Sequence, residues 1–216
     1  MATKRLIAAL LVISALLTAD SGFSREKADR QRSAGLVKHV LDGDTIILDT
    51  GEKVRYLGID APEVSHDGEP SECYARKAKE ANSRMVFGKR VTLRYASIPR
   101  DRYGRLLAYV IVPDGTCANL ELVRSGNACL YTKGEQLEML PDLMAAQREA
   151  IKQRRGMWEA CRVKPSPFYR GNSNTHAFHR SWCPLGVRLS ARNRTRFPDR
   201  WSALLEGFHP CRRCKP

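Results

Sequence analysis

The residues best equipped for chemistry lie in the first half of the chain. They are Asp44 within Asp42-Gly43-Asp44-Thr45, then Arg55, then Asp60 and Glu63 within Asp60-Ala61-Pro62-Glu63, and finally Arg105. Asp44 and Asp60 offer hard oxygen ligands. With no His or Cys beside them in sequence, they suit Ca²⁺, which tolerates an irregular oxygen shell, better than Mg²⁺ or zinc. Arg55 and Arg105 can grip phosphate oxygens through planar, paired hydrogen bonds that lysine cannot reproduce. Glu63 is then free to orient or deprotonate a water, a task worth about 10²–10⁴ in rate. Together these groups meet the needs of phosphodiester hydrolysis: charge neutralisation, a positioned nucleophile and a stabilised equatorial oxygen. Each fragment alone is weak, since an Asp-Gly-Asp run is more often a turn than a metal site. Their order and their placement at strand ends carry the case.

The elements that must position them are mostly strands. Alternating or β-branched runs at 36–41, 45–49, 52–59, 90–97 and 105–112 are punctuated by turn residues, with Thr50-Gly51 as a tight hairpin. Helical patterns cover 71–87, 119–125 and 136–155; Gly126 caps the second, and Pro141 marks the true start of the third or a kink in it. Three strands, a helix, two strands and further helices predict a mainly β fold with α: a five-stranded OB-type barrel with three helices.

The runs Val40-Leu41-Asp42-Gly43-Asp44-Thr45, Arg55-Tyr56-Leu57-Gly58-Ile59-Asp60-Ala61-Pro62-Glu63 and Asp101-Arg102-Tyr103-Gly104-Arg105-Leu106-Leu107-Ala108-Tyr109 resemble the staphylococcal nuclease (thermonuclease) family from about residue 35 to residue 158. The resemblance implies an OB-fold nuclease with one Ca²⁺ that cleaves DNA and RNA to leave 3′-phosphates. On that footing Asp44, Asp60 and the backbone carbonyl of Ala61 hold the metal. Glu63 is the general base, Arg55 and Arg105 stabilise the transition state, and Tyr103 lies near the nucleotide's 5′-phosphate. Ala61 stands where the best-known member carries threonine, a change that leaves a ligating carbonyl intact. The segment 64–72 is short and acidic, without that enzyme's lysine-rich excursion. Tyr131 falls within one residue of the family's base-stacking position.

A second, Cys-rich module is expected at 178–216, after a linker at 162–177 that contains Pro165, Pro167 and Gly171. His179 and Cys183 form one short-spaced pair, Cys211 and Cys214 another, the form of a structural tetrahedral zinc site; a disulfide among the cysteines is the competing reading. The segment resembles the zinc-binding domain of the Ada repair protein. His179 stands where that domain has its methyl-accepting cysteine, so methyl transfer is not expected. Nine Lys or Arg against two acidic residues there suit sequence-independent contact with phosphates. The seven cysteines also include Cys73, Cys117, Cys129 and Cys161, for which three pairings are open.

Across the chain, 37 Lys and Arg against 23 Asp and Glu give a net charge of +14, a field that attracts polyanions. Lys4 and Arg5, the apolar run 6–17 and the small residues after it have the order of a signal peptide, placed at 1–24 with Ser21 and Ser24 both open as cleavage points, ahead of a nuclease domain at 35–161. The chain is therefore expected to be a secreted or periplasmic monomer that acts on nucleic acid, with no membrane attachment after cleavage. A non-catalytic nucleic-acid-binding protein on the same barrel is the alternative, disfavoured because all five acidic and arginine positions are present.

Overall fold

The computed structural model describes residues 32–65, 68, 70–132 and 137–216. The expected signal segment at 1–24 lies outside them. Strands β1 (Arg32–Val40), β2 (Thr45–Leu48), β3 (Lys53–Tyr56), β5 (Arg90–Arg100) and β6 (Leu106–Ile111) close into a barrel in the order β1-β2-β3-β6-β5, the OB-type architecture expected. Alternation decides what faces inward: Val37, Ile46, Val54, Leu93 and Val110 are buried in its core. The β2–β3 hairpin turns at Gly51, whose φ of 83° is left-handed backbone that glycine adopts without strain. Two short strands outside the barrel, β4 (Ile59–Asp60) and β7 (Cys129–Leu130), pair with each other.

Helix α1 (Ala75–Val86) buries Ala75, Ala78, Asn82 and Val86, one stripe at helical spacing. It begins four residues later than the sequence pattern suggests. Tyr74 has φ 72°, which a right-handed helix cannot continue, and Cys73 is bonded to Cys161. Of the four cysteines left open for pairing, this is the one pair formed, and Cys117 and Cys129 remain thiols. Helix α2 (Ala118–Arg124) stops ahead of Gly126. Helix α3 (Leu140–Lys152) starts with Pro141 in its first turn, where the missing N–H costs nothing. The short α4 (Met157–Ala160) follows.

The C-terminal segment forms its own four-stranded sheet, β10-β8-β9-β11, from β8 (Tyr169–Asn172), β9 (Ala177–Arg180), β10 (Arg194–Phe197) and β11 (His209–Pro210). Helices α5 (Pro184–Val187) and α6 (Arg200–Leu205) complete it. The stretch taken as a linker contains β8, because Tyr169 is buried and its strand pairs with both β9 and β10. Nor is the segment an appendage. Its Tyr169, Phe178, Phe197 and Leu204 share one apolar cluster with Cys129, Ala150 and Trp158 of the preceding half. Gln147 fastens the two by accepting from Leu130 N–H at 2.7 Å and donating to Leu204 C=O at 2.8 Å. No helix among the described residues is long and apolar enough to cross a membrane.

Candidate active site

Asp44 leaves the turn between β1 and β2, and the turn is built tightly. A Cβ on Gly43 would stand 2.6 Å from the Ala61 Cβ and 2.9 Å from that of Ala78, so only glycine lets the turn, the Asp60–Glu63 loop and α1 approach this closely. Asp42 accepts from the Asp44 N–H and stiffens the same turn. Asn82 reaches up from α1 to donate to the Asp42 carbonyl while accepting from the buried Tyr56 hydroxyl. The acidic loop is thus tied to the barrel core.

Arg55 lies at the centre, on β3 and only 5 % exposed. Its guanidinium meets Asp44 at 2.8 Å and Asp60 at 2.6 Å, and donates to the carbonyls of Ile59 and Tyr56. Burial works against its charge, and Asp44 and Asp60 outweigh that, holding the guanidinium more firmly protonated than usual. Asp44 also accepts from the Ala61 N–H at 2.6 Å, which fixes the loop that carries the expected carbonyl ligand. Burial pushes the Asp44 carboxyl well above the usual range; Arg55 opposes this, while Asp42 and Asp60 add to it.

Two carboxylates therefore hold one buried arginine, with Asp42 acting on it from farther off, in a cluster whose candidate ligands are all oxygen donors. Residues of that kind fit a hard divalent cation and not a thiophilic one. Asp44 and Asp60, with the Ala61 carbonyl, are the groups that would hold it. Glu63 stands at the rim, two residues past Ala61. Its carboxyl is raised first by partial burial, then by Asp42 and Asp60, against lowering by Arg55 and Arg212. The Glu63 backbone is pinned on both sides by Glu72, whose carboxylate accepts from the Glu63 N–H and whose N–H donates to the Glu63 carbonyl.

Arg105 immediately precedes the neighbouring strand β6. β3 and β6 pair in parallel with Arg55 opposite Leu107, so alternation puts the residue two before Leu107, Arg105, on the same face as Arg55. Its guanidinium is held by Asp101 at 2.8 Å and lies 5.6 Å from the ring of Tyr103, which is exposed. The structure thus joins Asp44, Arg55, Asp60 and Ala61 by direct contacts and sets Glu63 beside them. Arg105 and Tyr103 form an adjoining pair, on the same face but without direct contact to that cluster among the described residues.

The other cluster also assembles. The ligand atoms of His179, Cys183, Cys211 and Cys214 all lie within 4.8 Å of one another. That is near the ~3.7 Å edge implied by a tetrahedron of ~2.3 Å Zn–S bonds. Gly186 allows it, since a Cβ there would sit 2.7 Å from the His179 Cβ. Burial and His209 hold the imidazole of His179 below its usual pKa, leaving it in the neutral, ligating form.

Sequence reasoning missed Arg212, which reaches from the Cys211–Cys214 turn to within 2.5 Å of Asp60. It also missed Lys215, paired with Glu72, and Arg200. The only hint was the pair of arginines between two candidate metal ligands, because 152 residues separate Arg212 from Asp60.

The profile of the staphylococcal nuclease homologue family matches residues 53–160. A thermonuclease of Staphylococcus intermedius is 34 % identical over 158 residues, 71 % of this chain and 92 % of the relative. An uncharacterised endonuclease of Escherichia coli O157:H7 is 40 % identical over 139 residues, 63 % of this chain and 84 % of that one. Endonuclease YhcR of Bacillus subtilis is 35 % identical over 136 residues, which cover 57 % of this chain and only 11 % of its own length. With this barrel and these matches, the chain belongs to the staphylococcal nuclease homologue family and is a hydrolase of the nuclease type.

Proposed function

We propose that the protein is a Ca²⁺-dependent nuclease that hydrolyses the phosphodiester bonds of DNA and RNA and leaves 3′-phosphate ends. The observation that carries this reading is the buried Arg55 held between Asp44 and Asp60, with Glu63 at the rim. Calcium bound by Asp44, Asp60 and the Ala61 carbonyl would supply charge neutralisation at the phosphate. The chain's own groups do the rest. Glu63 takes a proton from an attacking water, aided by a carboxyl pKa raised toward neutrality. The water oxygen bonds to phosphorus and the P–O5′ bond breaks. The departing 5′-oxygen takes its proton from solvent, while Arg55 and Arg105 hold the equatorial oxygens through paired N–H donors.

The C-terminal cluster is read as a structural zinc site, because three thiols and one imidazole are the donor set that zinc prefers. We place the working protein outside the cytoplasm after removal of residues 1–24, as a monomer with no membrane attachment. In that compartment the Cys73–Cys161 bond is stable.

Digestion of defined single-stranded DNA and RNA oligonucleotides with Ca²⁺, with Mg²⁺ and with chelator, followed by end-group analysis, tests the reading. Calcium-dependent release of 3′-phosphates is expected. Tight binding without any turnover would establish the non-catalytic alternative instead. Amino-terminal sequencing of exported protein checks the compartment, and metal analysis checks the zinc.

A further inference from the structure

A cleft of about 610 Å³ runs between the nuclease site and the C-terminal sheet. Its two walls differ in charge. Asp60, Glu63 and Glu72 line one, while Arg200, Arg212 and Lys215, all from the C-terminal segment, line the other. A polyanion entering this cleft meets a cationic wall that the barrel itself does not provide.

Two of those cations stand out. Arg212 is 56 % exposed, shares Asp60 with Arg55, and has its guanidinium 5.2 Å from the Tyr131 ring. Asp60 engages only its Nη2, so among the described residues the remaining guanidinium nitrogens keep donors for a second anion. Arg200 is the opposite case. It is partly buried, and burial lowers its pKa. Among the described residues it makes no ion pair, its Nε is buried without a hydrogen-bond partner, and it stacks only on Trp201 at 4.9 Å. The buried Nε1 of Trp158, which lines the same cleft, also lacks an acceptor. Buried donors in folded proteins are nearly always satisfied. Arg200 Nε and Trp158 Nε1 are thus donors without acceptors at the cleft, and an anionic ligand would answer them.

We propose that Arg200 and Arg212 form a second phosphate subsite, contributed by the C-terminal segment, which seats a phosphodiester flanking the one being cut. It deepens the nuclease reading and rests on it for the identity of the ligand. The nuclease centre is then composite: the barrel supplies the groups that cut, and the C-terminal sheet supplies the groups that hold the neighbouring chain. Lys215 closes the same wall through its pair with Glu72.

The test measures binding of a fluorescein-labelled single-stranded decadeoxynucleotide by the full chain, in chelator and over a salt series. Arg200→Gln and Arg212→Gln are each expected to weaken binding about tenfold and to lower the salt slope by about 0.7, the loss of one single-strand phosphate contact. Arg192→Gln, on an exposed arginine that does not line the cleft, serves as the control. With Ca²⁺ present, both variants should raise KM on the decamer, and Arg200→Gln should do so with kcat changed less than about threefold. Should Arg200→Gln unfold, the exposed Arg212 still decides the matter. Affinities and slopes equal to the control would overturn the subsite. So would a faster or more calcium-sensitive Arg212→Gln enzyme, which would make Arg212 a plug on Asp60. Wild-type binding without hydrolysis would reject the nuclease reading while the subsite stood on its binding arm.

Discussion

Arg55 Nη1 lies 2.8 Å from Asp44 Oδ2, with both side chains nearly closed to solvent. The contact has two faces, because Asp44 neutralises Arg55 and yet bears a large desolvation penalty of its own. Buried ion pairs of this kind contribute little net stability, but losing one partner is costly. Asp44→Asn keeps an oxygen for the Ala61 N–H and removes the charge. It is expected to leave the melting temperature unchanged or raised while cutting calcium-dependent activity at least a hundredfold. Asp44→Ala leaves Arg55 with Asp60 as its remaining carboxylate and the Ala61 N–H without an acceptor, and should cost about 2 kcal/mol in urea unfolding. Wild-type activity in Asp44→Asn would remove this carboxylate from the mechanism.

Glu63 separates chemistry from folding more cleanly, since its neighbour Glu72 grips its backbone and not its carboxylate. Glu63→Gln should lower kcat by about 10²–10⁴. Its melting temperature should match that of the wild type. A fall in melting temperature parallel to the fall in rate would mean the residue only supports the loop.

Gln147 spans the boundary between the barrel and the C-terminal sheet. Gln147→Ala leaves the Leu130 N–H buried and unpaired, while the Leu204 C=O keeps the Gly207 N–H, a loss of about 1–3 kcal/mol. Urea unfolding should shift accordingly, with the C-terminal sheet losing its hydrogen-exchange protection first. For the same reason, truncation at residue 178 is expected to destabilise the barrel by exposing Trp158 and Ala150.

Cys129 is a thiol whose pKa is driven up by burial and then by Asp60 and Asp44; its S–H donates to the Asp60 carbonyl. A thiol raised in this way carries almost no thiolate at pH 8. Iodoacetamide should therefore label Cys129 only after unfolding, as mass spectrometry of native and urea-treated protein would show. Rapid native labelling would mean that the β4–β7 pair opens freely.

What the sequence disclosed was local. Asp44, Asp60 and Glu63 lie in short motifs whose turns the residues themselves encode, and the spacing of His179, Cys183, Cys211 and Cys214 announces a cluster. The barrel was legible from alternation, with Val54 and Tyr56 in and Arg55 out of its core. The start of α1 was not, because a left-handed Tyr74 leaves no compositional mark. Nor was β8, where Pro, Gly and Ser suggested a loop and tertiary pairing made a strand. Arg212 was out of reach for a deeper reason: its role exists only once two sheets have docked, and no local pattern records that.

The Cys73–Cys161 bond joins positions 88 residues apart, just beyond the Glu63–Glu72 loop and just after α4. In chain-entropy terms, closing a span of that length restrains the unfolded ensemble by roughly 4–5 kcal/mol. That is comparable to the whole margin by which a small protein outlasts its disordered form. The electron poise of the surroundings therefore sets how long the molecule survives: oxidising conditions preserve it, and a strong thiol reductant shortens its life without touching a single group that cuts.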